Sequence, residues 1–357
     1  MQPIHTRLDN SAPAADGVLL DVRNLQTHFF TDEGVVKAVD GVNLTLKRGQ
    51  TLCVVGESGC GKSVTARSIL RIVPAPGEIV SGQINFRKRQ GGSIDLATMN
   101  PKGREIRRIR GGEISMIFQE PMSSLSPVHT IGSQIMEAIM LHLPVTKREA
   151  RKRAAAMLDL VGIPRASERL DAYSFELSGG MRQRAMIAIA LACEPQVLIA
   201  DEPTTALDVT TQANILDLIR DLQQVTGMSV LFITHDLGVV AEIADEVVVM
   251  YLGRDVESGA VDAIFHDPKH PYTRALLQSI PRYGNHDRRR LYSIKGIVPH
   301  PFDRPRGCPF HPRCDDFIAH KCDRIDPPRQ FIGREHSVRC LLYAGAPELN
   351  SDKELPS

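Results

Sequence analysis

The eight residues Gly56-Glu57-Ser58-Gly59-Cys60-Gly61-Lys62-Ser63 constrain this chain more than any other stretch. They satisfy G-x-x-x-x-G-K-[ST] at every fixed position, and they lie between an apolar run, Thr51 to Val55, and a helical one, Ser63 to Val73. Glycines let the backbone curl so that successive N–H groups face phosphate oxygens, and the following helix adds the positive end of its dipole. Lys62 is then expected to reach the β- and γ-phosphates, and the Ser63 hydroxyl is placed to ligate Mg²⁺. A glycine-rich turn with a chance lysine is the plain alternative, and the flanking strand and helix argue against it. An α/β protein built around a phosphate-binding loop is the expected fold class.

Composition bounds the rest. A chain of 357 residues exceeds the usual size of one domain, so one large domain with an appendage is expected. Lys+Arg 43 against Asp+Glu 42 leaves a formal charge of +1, which offers no whole-molecule attraction for nucleic acid. No apolar run approaches the roughly 18 to 20 residues that a spanning helix needs, and the N-terminus shows no apolar core of a secretory signal. The expectation is a chain kept in the cytoplasm, with any membrane role exerted through partners. Seven cysteines in such a chain point to metal binding rather than to a disulfide framework.

Residues 1–17 read as a loose polar tail. From Val18 apolar and polar residues alternate, turn at Asp32-Glu33-Gly34 and resume at Val35, which predicts antiparallel strands. Phe29 and Phe30 close the first run, where an aromatic ring can stack on an adenine face or serve as an ordinary strand end. Pro74-Ala75-Pro76-Gly77 ends the helix after the loop, and Glu78 to Phe86 reads as a further strand. The arginines at 104, 107, 108 and 110 read as a solvated helix face. Ile114 to Phe118 is a buried-strand pattern that delivers Gln119, with Glu120-Pro121 after it, and residues 131–192 carry helical periodicity, including a basic stretch from Lys147 to Arg153.

Leu177-Ser178-Gly179-Gly180-Met181-Arg182-Gln183 lies inside that helical insert, and Val197 to Ala200 then runs into Asp201-Glu202. An apolar strand ending in two carboxylates places one acid beside Mg²⁺ and the next on an attacking water. Ser229 to Thr234 repeats the logic by delivering His235 at a strand's C-terminal end, where α/β sheets hold their ligands.

With these motifs in this order, the chain resembles the nucleotide-binding subunit of an ATP-binding-cassette (ABC) transporter, from about residue 18 to 267, with a helical subdomain at about 120–192. The resemblance implies a RecA-like P-loop NTPase core with an antiparallel β-subdomain. It makes Phe29 the adenine-stacking aromatic, with Phe30 a neighbour in the same place. Ser58, Gly59, Cys60, Gly61, Lys62, Ser63 and Val64 hold the nucleotide, and Ser63 and Gln119 serve Mg²⁺. Leu177 to Gln183 becomes the signature, of which Ser178, Gly179 and Gly180 meet ATP in trans. Asp201 and Glu202 are the Walker B pair with Glu202 as general base, Ala206-Leu207-Asp208 is the D-loop, and His235 contacts the γ-phosphate. Lys62, Gln119, Glu202 and His235 are thus the implied catalytic set. Two departures stand out: Met181 replaces the usual Gln, and Tyr173-Ser174-Phe175-Glu176 lacks the frequent Pro-His-Gln.

Residues 268–345 narrow the likeness. His270-Pro271-Tyr272-Thr273-Arg274-Ala275-Leu276-Leu277, Ile294 to Pro299 and Gly307-Cys308-Pro309-Phe310-His311-Pro312-Arg313-Cys314 are similar to the C-terminal extension of dipeptide and oligopeptide importer ATPases. The resemblance implies a peripheral protein on the cytoplasmic face of the inner membrane. Its implied partners are a paralogous ATPase in a heterodimer, two transmembrane permeases and an extracytoplasmic solute-binding protein. Related importers serve nickel, glutathione, opines or oligosaccharides, so the cargo stays open. A soluble cassette ATPase of DNA repair or translation is the alternative of another class, but no second cassette or long coiled-coil insert is present. A dead regulatory half is opposed by Lys62, Glu202 and His235. Residues 346–357 read as a tail.

Cys308, Cys314, Cys322 and Cys340 follow C-x5-C-x7-C-x17-C. Zinc sites favour close C-x₂₋₄-C pairs, and none of these gaps is that short. A [4Fe–4S] cluster is therefore expected, with Zn²⁺ as the alternative, in a small cysteine-containing C-terminal domain too poor in apolar residues to hold itself. Four unliganded or disulfide-paired cysteines are the plain alternative. Cys53 and Cys193 read as core residues, and Cys60 as a tolerated filler of the loop.

Overall fold

The structure is a computed structural model that describes residues 17–119, 125–205, 207–280, 294–300, 302–333 and 335–344. Most of both tails, Glu120-Pro121 and Ala206 of the expected D-loop lie outside the described residues.

Two sheets organise the chain. The first comes from β1 (Val18–Thr31), β2 (Gly34–Lys47), β4 (Gly77–Arg87) and β5 (Ser93–Asp95), all antiparallel in the order β2-β1-β4-β5. Thr31 pairs with Gly34 across Asp32-Glu33, so the expected turn closes a two-residue hairpin.

The second sheet carries the site. β3 (Thr51–Val55), β6 (Ile114–Ile117), β7 (Val197–Asp201), β8 (Ser229–Thr234) and β9 (Glu246–Tyr251) run parallel in the order β9-β3-β8-β7-β6. Every residue of β3, β7 and β8 is buried, which is why these strands read as continuous apolar runs rather than alternating ones. Parallel strands need helical crossovers, and these also cover the sheet. Among the described residues the helices in chain order are α1 (Lys62–Ile69), α2 (Arg104–Ile109), α3 (Ile131–His142), α4 (Lys147–Leu160), α5 (Ala166–Arg169), α6 (Gly179–Leu191), α7 (Val209–Thr226), α8 (Leu237–Ile243), α9 (Val261–His266) and α10 (Pro271–Gln278). α3 to α6 form the helical block expected at 131–192. Thr130 and Thr146 cap α3 and α4 with their side-chain oxygens, and α4 buries Ala150, Ala154 and Leu158 at four-residue spacing while its basic residues face out.

α1 stops at Ile69, four residues short of the expected Val73. Arg71 takes a left-handed φ of 56°, and Arg110 donates to the carbonyls of Leu70 at 2.6 Å and Arg71 at 2.7 Å. Those carbonyls would otherwise lack partners at the helix end. Arg110 is therefore a part-buried cap and not a member of a solvated face.

The separate C-terminal domain expected from the sequence is not present as an independent unit. β10 (Arg254–Ala260) pairs antiparallel with β9, and β12 (Ser337–Val338) pairs with β10 through Ser258–Ser337 and Glu257–Val338. β11 (Gln330–Phe331) then pairs with β12, so the extension completes one eight-stranded sheet. It also shares the core: Phe310 is 2% exposed and its ring lies 5.3 Å from both Tyr251 and Tyr272. Burying a ring of that size contributes roughly 2 to 3 kcal/mol, a large share of what a short strand-poor segment needs to stay docked. Buried polar pairs fix the register, with His336 Nε2 2.8 Å from Glu257 and Arg339 3.4 Å from Asp255.

Candidate nucleotide-binding site

β3 ends at Val55, and the loop that follows turns so tightly that side chains are excluded at two of its glycines. A Cβ on Gly56 would meet the Met250 carbonyl at 2.2 Å, and one on Gly61 would meet the Ala38 carbonyl at 2.3 Å. Gly61 also has φ 102°, a left-handed conformation that only glycine adopts without strain, and it is the N-cap of α1. Lys62 is 5% exposed. Its Nζ donates to the carbonyls of Gly56 at 2.7 Å and Glu57 at 3.1 Å, so the loop itself holds the ammonium. Cys60 is buried, and burial pushes its thiol pKa up despite the nearby Lys62 charge. Such a thiol is a poor nucleophile, in keeping with a filler of the loop.

The carboxylates arrive from β7 as expected. Ser63 Oγ donates to Asp201 Oδ1 at 2.9 Å, joining the loop to the strand end. Asp201 is 1% exposed, and burial raises its carboxyl pKa against the pull of the Ser63 hydroxyl. A buried carboxylate with one hydroxyl partner beside a phosphate loop is a donor set that suits a hard divalent cation. Glu202 follows with φ 47°. A non-glycine residue in that region is strained, and the Glu202 N–H is held by the Ile233 carbonyl at 2.9 Å. Three side chains converge on its carboxylate: Gln119 Nε2 at 3.1 Å, Thr205 Oγ1 at 3.0 Å and His235 Nδ1 at 3.2 Å. Gln119, Glu202 and His235, far apart in sequence, thus meet at the ends of β6, β7 and β8.

Phe29 is half-buried against Gly77, where a Cβ would come within 2.7 Å of the ring, whereas Phe30 is 47% exposed. The signature stands elsewhere. Ser178 caps α6 by accepting from the Met181 N–H at 3.4 Å, and Gly179 is exposed with open space beside it. Among the described residues, no hydrogen bond joins Ser178, Gly179 or Gly180 to the phosphate loop. Gln183 links this helix to the strand end by donating to the Pro203 carbonyl.

Some contacts have no signal in local sequence pattern. Thr205 on Glu202 is one, and the C-terminal residues Tyr272 and Arg313 on the phosphate loop are two more. The Tyr272 hydroxyl accepts from the Glu57 N–H at 2.9 Å, and Arg313 forks onto the Glu57 carboxylate. The sequence marks both residues only as parts of importer-like runs.

The four C-terminal cysteines are all free. They are gathered closely enough that Cys314, Cys322 and Cys340 all act electrostatically on Cys308. Burial pushes the Cys308 thiol up to about 12 and the Cys314 thiol up to about 11, and neighbouring thiols add to the rise. The Cys322 sulfur accepts the Ile318 N–H at 3.5 Å. Nevertheless, among the described residues no group of three or more His, Cys, Asp or Glu is placed to hold a single metal ion. The expected metal centre is therefore not preformed around one ion.

Residues 39–205 match the family described as ABC transporter, and residues 256–322 match that of the oligopeptide/dipeptide transporter C-terminal region. The dipeptide transport ATP-binding protein DppD of Bacillus subtilis is 48% identical over 325 residues, covering 91% of this chain and 94% of that protein. This chain belongs to the ABC transporter family. Its cassette is an ABC-type ATPase, and the Escherichia coli DppD is also similar, at 45% identity over 334 residues with 93% and 99% covered. A dimeric ATP-binding cassette solved with ADP and phosphate shares the cassette's fold at a TM-score of 0.59 and 25% identity, covering 68% of this chain and 99% of that one. Among the cassette's described residues, no helix is long and apolar enough to cross a membrane.

Proposed function

We propose that the chain is the ATP-hydrolysing subunit of a membrane-bound importer of dipeptides or oligopeptides. The observation that carries this reading is a formed phosphate loop and carboxylate pair on the same chain as the oligopeptide/dipeptide-type C-terminal region.

In this reading the loop N–H groups from Ser58 to Val64 and the Lys62 ammonium bind the β- and γ-phosphates, and Phe29 stacks on adenine. Ser63, Gln119 and the buried Asp201 would hold Mg²⁺, which when bound supplies positive charge against the phosphate oxygens. Glu202 orients and deprotonates the attacking water, and His235 and Gln119, which share its carboxylate, hold it in position. The signature residues Ser178, Gly179 and Gly180 serve the nucleotide of a facing subunit, because on their own chain they stand apart from the loop. Two cassettes then close on two ATP molecules, and closure is the mechanical step.

The partner cassette is proposed to be a paralogue, and the pair to sit on the cytoplasmic face of the inner membrane below two permeases fed by a solute-binding protein. Support for permease docking comes from an apolar cavity of about 350 Å³ lined by Leu70, Met116, Phe118, Leu125, Ala138 and Met186. The four cysteines are proposed to hold a [4Fe–4S] cluster. Four free thiols that act electrostatically on one another support this reading.

The test is to purify the assembled complex and measure peptide uptake into vesicles. ATP-dependent uptake, with one copy of this chain per complex, is expected. Uptake that is independent of ATP would overturn the function, and two copies per complex would overturn the heterodimer.

A further inference from the structure

The phosphate loop is gripped from outside by the C-terminal segment. Arg313 donates from Nη1 to Glu57 Oε2 at 2.7 Å and from Nη2 to Oε1 at 3.0 Å, a bidentate pair. The arginine is 8% exposed. Its Nε bonds the Lys295 carbonyl at 2.9 Å, and its guanidinium lies 5.8 Å from the Tyr251 ring and 6.0 Å from the Phe310 ring. These contacts fix the plane of the fork, and the turn that carries it is pinned by the Cys308 N–H on the Cys322 carbonyl at 2.8 Å. On the loop side every polar group of Glu57 is engaged. Its N–H goes to the Tyr272 hydroxyl, its carbonyl receives Lys62, and its carboxylate receives Arg313.

A carboxylate as the second residue of a phosphate-binding loop is a like charge beside a triphosphate, and in a partly buried setting that repulsion is strong. We propose that Arg313 is a positioning residue for nucleotide binding: it neutralises the Glu57 carboxylate and holds it toward the C-terminal segment. Tyr272 meanwhile fixes the loop backbone from which Lys62 is presented. The proposal rests on the nucleotide-site reading given above. It also assigns a purpose to the extension on the ATP side of the molecule, since the fork needs an arginine whose plane is set by Tyr251, Phe310 and Lys295. A merely structural arginine would cost stability when removed but would be indifferent to the charge on Glu57.

The experiment titrates the full-length chain with a fluorescent ATP analogue and follows its melting temperature. Arg313→Ala is expected to weaken binding by about tenfold, as one uncompensated charge contact would. The double variant Arg313→Ala/Glu57→Gln is expected to regain most of the affinity. Arg313→Gln, which keeps part of the aliphatic stem and a polar end without the charge, carries the same comparison where the alanine variant does not fold. Unchanged affinity in the single variant, or no recovery in the double one, would overturn the proposal. A wild-type chain that binds no nucleotide would overturn the nucleotide-site reading, and the proposal with it.

Discussion

His270 shows how one residue sets the conditions under which the C-terminal segment stays docked. It is 1% exposed, its Nδ1 accepts the Tyr272 N–H at 3.0 Å at the start of α10, and its ring lies 5.8 Å from Phe310. Burial lowers its pKa to about 4, against the pull of the Glu257 charge. The unfolded chain takes up a proton near the ordinary value of 6.5 while the folded chain refuses it, so stability is lost as pH falls from 6.5 toward 4. Between pH 7 and 5 this amounts to about 2 kcal/mol. Glu257 works in the same direction at lower pH: burial opposes its charge, but His336 and the backbone N–H groups of Lys269 and His270 outweigh that and depress its pKa. Urea midpoints at pH 7 and 5 should therefore differ in the wild type and differ less in His270→Asn, which keeps an oxygen for the cap. An equal difference in both would contradict the assignment. The loop glycines, Lys62 and Asp201 were legible in the sequence because their chemistry is local to a strand end. The partners of Glu57 were not, because Arg313 lies 256 residues away and nothing in a local pattern reports such a pairing.

At the scale of elements, the parallel strands β3, β7 and β8 are legible because burial on both faces makes each an unbroken apolar run. β11 and β12 are two residues each, too short to display alternation, and this is why the extension reads as a separate unit when it in fact completes the main sheet. The end of α1 is likewise set by Arg110, from a different element. The cysteine segment is legible by its four thiols and not by their arrangement, which depends on where the chain returns to β10. If these thiols hold a [4Fe–4S] cluster, anaerobically purified protein should be brown and contain iron and acid-labile sulfide. Both should be lost in Cys314→Ser/Cys322→Ser. Colourless protein with stoichiometric zinc would show the wrong metal, and protein with neither would refute the centre.

Across the whole molecule, Gln119, Glu202 and His235 are brought to one point at the C-terminal ends of three parallel strands, while Ser178 and Gly179 lie exposed on the surface. In the proposed function Glu202, held by Gln119, Thr205 and His235, is the base of an ATPase whose site is finished by a second cassette. Its most direct measurement is Mg²⁺-dependent ATP turnover of the assembled complex with Glu202→Gln in this chain, alongside ATP binding. Binding is expected to persist while turnover at this site falls on the order of a hundredfold or more, as for loss of the group that takes the proton. Undiminished turnover with intact binding would contradict it.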